Sequence, residues 1–319
     1  MEHLLEVKNL KVSFFTELGE VQAVKDAEFY VDSGDFFGIV GESGSGKSVT
    51  TKSILRLGPD NCKVTGGEIL FEDGDILKMN ESELRNLRGR DISMVFQDSL
   101  SSLNPVYTVG NKMVELIRRR SKKSKAEARA YALELLTAVG IADAEKVMRS
   151  YPHELSGGMR QRVMIAMAMS SKPKVLIADE PTTALDVTIQ AQILHLLQNL
   201  QKSSDMSIIL ITHDLGVVAQ TCKRVAVMCG GYVVEQGSVE EIFLHPRHPY
   251  TQALIASMPK VGGRFEQFLE RDLSDNSGNL CPFLNRCKYA NAACENSLPE
   301  IRSCGAGHAI RCHRWEDFK

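Results

Sequence analysis

The sequence predicts an α/β fold: a phosphate-binding core on a mainly parallel sheet, with an antiparallel β subdomain, an inserted α-helical subdomain and a small cysteine-rich C-terminal extension. Three observations predict it. A short apolar run, residues 36–40, turns through Gly41-Glu42-Ser43-Gly44-Ser45-Gly46-Lys47-Ser48 into a helical pattern that opens at Val49. Strand-sized apolar runs then alternate with helical patterns between residues 175 and 228, as in a parallel sheet with covered faces. Five of the eight cysteines lie between Cys281 and Cys312, in a tail whose composition differs from everything before it.

Along the chain, residues 4–7, 12–15, 27–31, 36–40 and 68–71 read as strands, partly antiparallel, around the glycine-rich loop. Between 104 and 149 the period becomes helical. Ala128, Ala132, Leu135, Leu136 and Val139 share one face, and Gly140 stands where a C-cap belongs. Another helix is expected over 158–169. Strands follow at 175–178, 208–212 and 225–228, with a helix over 189–200. Pro246, Pro249 and Pro259 mark the passage into the tail. The expected division is a main domain over 1–245, with its helical subdomain at about 98–157, and an extension over 246–319. The basic stretch 118–125 reads as a solvated loop between helices.

Bulk properties exclude several classes. A formal net charge of −2 with 24% charged residues carries no basic excess of the kind nucleic-acid binders show. No apolar run approaches the ~20 residues a membrane-spanning helix needs. The first residues lack the basic and apolar regions of a signal peptide. A soluble, cytosolic chain is expected, reaching a membrane only through a partner.

The loop at 41–48 fits the P-loop pattern of glycine, four residues, then Gly-Lys-Ser. A strand that turns through glycines into a helix aims several backbone N–H groups, and the positive end of the helix dipole, at one point. Lys47 would reach the β and γ phosphates and the Ser48 hydroxyl would ligate Mg²⁺; the fold is therefore read as a P-loop NTPase core. Val175-Leu176-Ile177-Ala178-Asp179-Glu180 is an apolar strand ending in two acids. Asp179 is placed to reach Mg²⁺ through a water, and Glu180 to polarise the attacking water. Leu155-Ser156-Gly157-Gly158-Met159-Arg160-Gln161 offers an N-cap serine and a glycine-rich helix tip, a second anion site aimed at a nucleotide held by another copy.

These residues carry a family resemblance. The Ser156-Gly157-Gly158-Met159-Arg160-Gln161 stretch resembles the signature motif of ATP-binding subunits of ABC transporters. Other elements of that family fall in order. Gln97 matches the loop glutamine that contacts Mg²⁺ and the nucleophilic water, and Ala184-Leu185-Asp186 matches the D-loop. His213 matches the switch histidine that holds the γ-phosphate. Phe14 aligns with the aromatic that stacks on adenine, with Phe15 as the alternative. The resemblance implies that Gly41, Ser43, Gly44, Ser45, Gly46, Lys47, Ser48 and Val49 line the bound ATP, and that Lys47, Gln97, Glu180 and His213 serve hydrolysis. Within the family, Ser101-Ser102-Leu103-Asn104-Pro105, Tyr151-Pro152-His153-Glu154 and His248-Pro249-Tyr250-Thr251 are similar to stretches of oligopeptide and dipeptide importer ATPases. Ser99, Leu155, Cys229 and residues 262–279 depart from that pattern.

The tail opens at Cys281 with a Cys-x5-Cys-x6-Cys series through Cys287 and Cys294, completed by Cys304 or Cys312. Disulfides are disfavoured in a cytosolic chain, and the spacing is wide for zinc. Four thiolates can hold an iron–sulfur cluster; zinc and free thiols stay open on the spacing. The family resemblance assigns a four-iron four-sulfur (4Fe-4S) cluster to Cys281, Cys287, Cys294 and Cys312.

The resemblance further implies partners: a second, homologous ABC ATPase packed head to tail, two transmembrane permease subunits and, indirectly, an extracytoplasmic substrate-binding protein, with no nucleic acid. The chain is expected on the cytoplasmic face of the cell membrane. The function it implies is ATP hydrolysis driving peptide import. Related nickel and glutathione importers are alternatives, as is a soluble ABC ATPase acting on DNA or ribosomes. The absent basic excess and absent coiled-coil insertion weigh against the last.

Overall fold

The computed structural model describes residues 3–97, 102–183, 185–258, 280–305 and 307–318. Ser99, Ser101, Ala184, Pro259 and residues 262–279, all noted above, lie outside the described residues. The chain divides into two compact units: residues 1–32, 36–78 and 210–319, and residues 33–35 with 79–209.

In the first unit, β1 (Leu5–Thr16) and β2 (Gly19–Val31) form a long antiparallel hairpin, and β1 also pairs with β4 (Cys62–Phe71). The two strands expected at 4–7 and 12–15 are thus one strand. Register shifts between Val7 and Val12, with Asn9 in a left-handed backbone (φ 45°), kink it without ending it. Strand order here is β5 (Gly74–Asp75), β4, β1, β2, β10 (Tyr232–Ser238), β9 (Arg224–Cys229) and β3 (Phe36–Val40). The β3–β9 pair is parallel and every residue of β3 is buried, as a strand covered on both faces requires. The sheet is therefore mixed, with parallel pairing concentrated around the P-loop strand.

The C-terminal segment joins this sheet. After α9 (Val239–Leu244) and α10 (Pro249–Ala256), β12 (His308–Ile310) pairs antiparallel with β10 and with β11 (Arg302–Gly305). It occupies the edge of β10 that β2 leaves after Tyr232. Phe283 is buried in one apolar cluster with Val227, Tyr232, Val234 and Tyr250. The tail thus borrows a core it is too short to build.

In the second unit, β6 (Ile92–Val95) and β7 (Val175–Asp179) pair in parallel. The helices α3 (Val109–Arg120), α4 (Lys125–Ala138) and α5 (Ala144–Arg149) lie between them in sequence. Ala128, Ala132, Leu136 and Val139 are buried, Leu135 is half-buried, and Gly140 (φ 80°) ends α4 as read from the sequence. The basic stretch is mostly helix end: Arg118, Arg119 and Arg120 close α3, and Ser124 caps α4 in a capping box with Glu127. The helices α6 (Gly157–Met169) and α7 (Val187–Ser204) complete the unit. The chain passes back to the first unit within β8 (Ser207–Thr212).

Candidate functional site

The glycine-rich loop belongs to the first unit and leads from β3 into α1 (Lys47–Ile54). Its glycines answer to close packing. A Cβ at Gly46 (φ 101°) would stand 2.7 Å from the Ala23 carbonyl, and one at Gly41 would collide with the Met228 carbonyl. The buried Lys47 ammonium folds over the loop and donates to the carbonyls of Gly41 and Glu42, both at 2.8 Å. Its charge is thus stored at the mouth of the anion site. Glu42 is anchored twice from the C-terminal segment: its N–H donates to the Tyr250 hydroxyl at 2.9 Å, and its carboxylate accepts both arms of Arg286, at 2.9 and 2.8 Å. The same unit carries Phe14, half-buried, and the exposed His213 just after β8. Phe15, the alternative to Phe14, is 44% exposed and carries the Lys63 ammonium over its ring.

The acids lie in the second unit. Asp179 ends the fully buried β7 and is itself 1% exposed. Glu180 does not continue the strand, because its backbone is left-handed (φ 45°). A non-glycine residue there stores local strain, which proteins retain mainly at working sites. The turn aims its carboxylate at two donors: the Gln97 amide and the Thr183 hydroxyl, each at 2.8 Å. The structure so joins Gln97 to Glu180 across 83 positions. Thr183 was missed from sequence because a threonine after an acidic turn carries no spacing signal.

In the same unit the Ser156 hydroxyl accepts the N–H of Met159 at 3.3 Å and caps α6. The glycines after it have an intramolecular reason beyond exposing the helix tip. A Cβ on Gly158 would meet Ile189 Cγ2 at 2.7 Å, and one on Gly157 would meet Leu185 at 3.2 Å. The helix tip is packed directly against the start of α7, whose own N-cap is Asp186.

Four of the five tail cysteines converge. Cys281, Cys287, Cys294 and Cys312 line a single cavity with His248, Pro249, Phe283, Leu284, Ala290, Pro299 and His313. Burial pushes the Cys281 thiol up to about 12 and the Cys312 thiol up to about 11, and the neighbouring cysteines push the same way. Cys304 does not line this cavity; its thiol faces the His308 carbonyl. Among the described residues, no three His, Cys, Asp or Glu side chains close on a single metal ion.

Comparison with known proteins follows this geometry. Residues 24–183 match the family model "ABC transporter", and residues 234–294 match "Oligopeptide/dipeptide transporter, C-terminal region". The chain is 47% identical over 319 residues to the dipeptide transport ATP-binding protein DppD of Bacillus subtilis, covering 98% of this chain and 95% of that protein. The chain belongs to the ABC transporter ATPase family.

Other comparisons place this ABC ATPase consistently. It is 55% identical over 267 residues to the oligopeptide transport ATP-binding protein OppD of Bacillus subtilis, covering 83% of this chain and 75% of that one. Among solved structures, it is similar to the dimeric structure of MJ0796, a bacterial ABC transporter cassette. That match has a TM-score of 0.66 at 30% identity, over 74% of this chain and 98% of the other. The mixed α/β cassette read from sequence is therefore its fold. No described helix of this ABC ATPase is long and apolar enough to cross a membrane.

Proposed function

We propose that this chain is the ATP-hydrolysing subunit that drives peptide import through a membrane ABC transporter. The observation that carries the reading is the coupled pair of family matches, a cassette at 24–183 followed by the oligopeptide/dipeptide C-terminal region at 234–294. Relatives such as DppD and OppD, named for dipeptide and oligopeptide transport, support peptides as the cargo. With it we propose the expected division: an ATPase domain over 1–245, its helical subdomain at about 98–157, and an extension over 246–319.

The roles are those that the family resemblance implies. Phe14 stacks on adenine, and Gly41, Ser43, Gly44, Ser45, Gly46 and Val49 line the phosphates with backbone dipoles. Lys47 is released from its loop carbonyls to the β and γ phosphates. Ser48 and Gln97 ligate Mg²⁺, with Asp179 acting through a water. Glu180, already oriented by Gln97 and Thr183, polarises the attacking water, and His213 holds the γ-phosphate. Ser156, Gly157 and Gly158 serve the nucleotide of a second, homologous ATPase subunit. ATP closes the pair and phosphate release reopens it. Two permease subunits receive the motion, an extracytoplasmic binding protein supplies the cargo, and the chain works peripherally on the cytoplasmic face.

A 4Fe-4S cluster would be held by Cys281, Cys287, Cys294 and Cys312, the four cysteines that line one cavity. Four ionised thiols in an apolar pocket repel one another and resist desolvation unless positive metal replaces their protons. When bound, the cluster supplies iron–sulfur bonds that hold the small tail folded.

The test is complementation of a strain lacking a peptide-importer ATPase, scored as uptake of a labelled di- or tripeptide. Restored uptake that depends on Glu180 supports the reading. An active ATPase that joins the permeases yet restores no uptake would reassign the cargo.

A further inference from the structure

We infer that Arg286, a residue of the cysteine tail, is a positioning residue for the P-loop. The tail thereby sets nucleotide affinity through the Arg286–Glu42 ion pair. Arg286 lies between Cys281 and Cys287, on a 3₁₀ turn that spans Leu284–Arg286. The turn is pinned at both ends: the Leu284 N–H donates to the Cys281 carbonyl at 3.0 Å and the Cys287 N–H to that of Leu284 at 3.1 Å. From there the guanidinium meets the Glu42 carboxylate with both arms and lies within 5.0 Å of the Phe283 ring centroid and 5.9 Å of that of Tyr250. Its side chain is 13% exposed. A planar, two-armed pair with a stacked guanidinium fixes direction as well as distance, which a lysine would not do.

Glu42 is the second residue of the P-loop, and Lys47 donates to its carbonyl. Holding its side chain and its N–H therefore fixes the half of the loop against which Lys47 rests. A glycine-rich loop left to itself samples many conformations, and ordering it would be charged against nucleotide binding. Arg286 and Tyr250 order it beforehand, so affinity rises through preorganisation and not through any contact with ATP. Because Arg286 rides between two thiols of the tail cavity, anything that orders those cysteines orders the strut. The inference rests on the ATPase reading of the P-loop and does not depend on which metal the cysteines hold.

The test is a double-mutant cycle on the full-length chain, using Glu42→Gln, Arg286→Gln and the pair. ADP and ATP affinity are read by equilibrium titration and ATPase rates across ATP concentrations, with iron, zinc and melting temperature measured for every variant. Glu42→Gln matters most, because it breaks the pair without touching the tail. Each single variant should weaken nucleotide binding about three- to tenfold, as expected of a partly exposed bidentate pair. The double variant should be no weaker than the worse single. KM should rise by the same factor with kcat nearly unchanged, and Arg286→Lys should recover part of the loss. Single variants with wild-type affinity, or losses that multiply in the double, would overturn the inference alone. A wild-type chain that binds no ATP would overturn the ATPase reading and the inference with it.

Discussion

The Gln97 amide and the Thr183 hydroxyl both donate to one carboxylate oxygen of Glu180, whose own backbone is left-handed. Two donors on a strained turn leave the carboxylate little choice of direction. Glu180→Gln should therefore keep nucleotide affinity and lose about 100-fold or more in turnover, the usual size of general-base catalysis. Thr183→Val, which only loosens the carboxylate, should cost about tenfold or less. Single-turnover hydrolysis beside a binding titration checks both. A glutamine variant that still turns over at the parental rate would remove Glu180 from the chemistry.

At the tip of α6 the relevant number is the 2.7 Å between an added Cβ on Gly158 and Ile189 Cγ2. Ile189 is branched at Cβ, so its methyl cannot swing aside without a rotamer change. Gly158→Ala should destabilise the chain by about 1–3 kcal/mol, the range for overpacking. Ile189→Ala in the same chain should return part of it. Chemical denaturation of the four proteins measures this. Equal losses with and without Ile189 would mean that the glycine answers only to an incoming anion.

Much of this site was legible because its parts are contiguous. The 41–48 loop, the acids at the end of β7 and the Ser156 cap each depend on neighbours in sequence, where spacing dictates which atoms face the same point. The pairings that orient those parts were not legible. Glu42 meets Arg286 across 244 positions and Glu180 meets Gln97 across 83, and no local period encodes which surfaces the fold closes on each other. The strand β1 was read as two pieces because the bulge near Asn9 breaks the alternation that sequence reading counts. Glycines in the signature stretch looked like ligand space, and only packing reveals Ile189 behind one of them.

The cavity separates the tail cysteines into four and one. Anaerobically purified protein should carry about four irons and four sulfides per chain, with a broad absorption band near ~400 nm. Serine at Cys281, Cys287, Cys294 or Cys312 should each lower iron content and melting temperature together, since a bound metal would supply folding energy to the tail. Serine at Cys304, whose thiol faces the His308 carbonyl instead, should leave both near parental values. One equivalent of zinc in place of iron would replace the cluster with a different structural metal.

Acid should act on this protein through His248. Its ring is fully buried, caps α10 by accepting the Tyr250 N–H at 3.1 Å, and is held neutral by desolvation to a pKa of about 4, against the usual 6.5. The nearby Glu235 carboxylate opposes that shift without cancelling it. Between about pH 6.5 and pH 4 the unfolded chain binds a proton here that the folded chain refuses. Stability from this group is therefore complete above pH 6.5 and falls with acidification, by up to about 3 kcal/mol at pH 4. His248→Asn keeps a short acceptor for the Tyr250 N–H but cannot titrate. Denaturant melts of both proteins between pH 7 and pH 4 should diverge in slope, the wild type losing more. Parallel curves would mean that the ring stays neutral for lack of any cost to charging it, and that other groups govern acid lability.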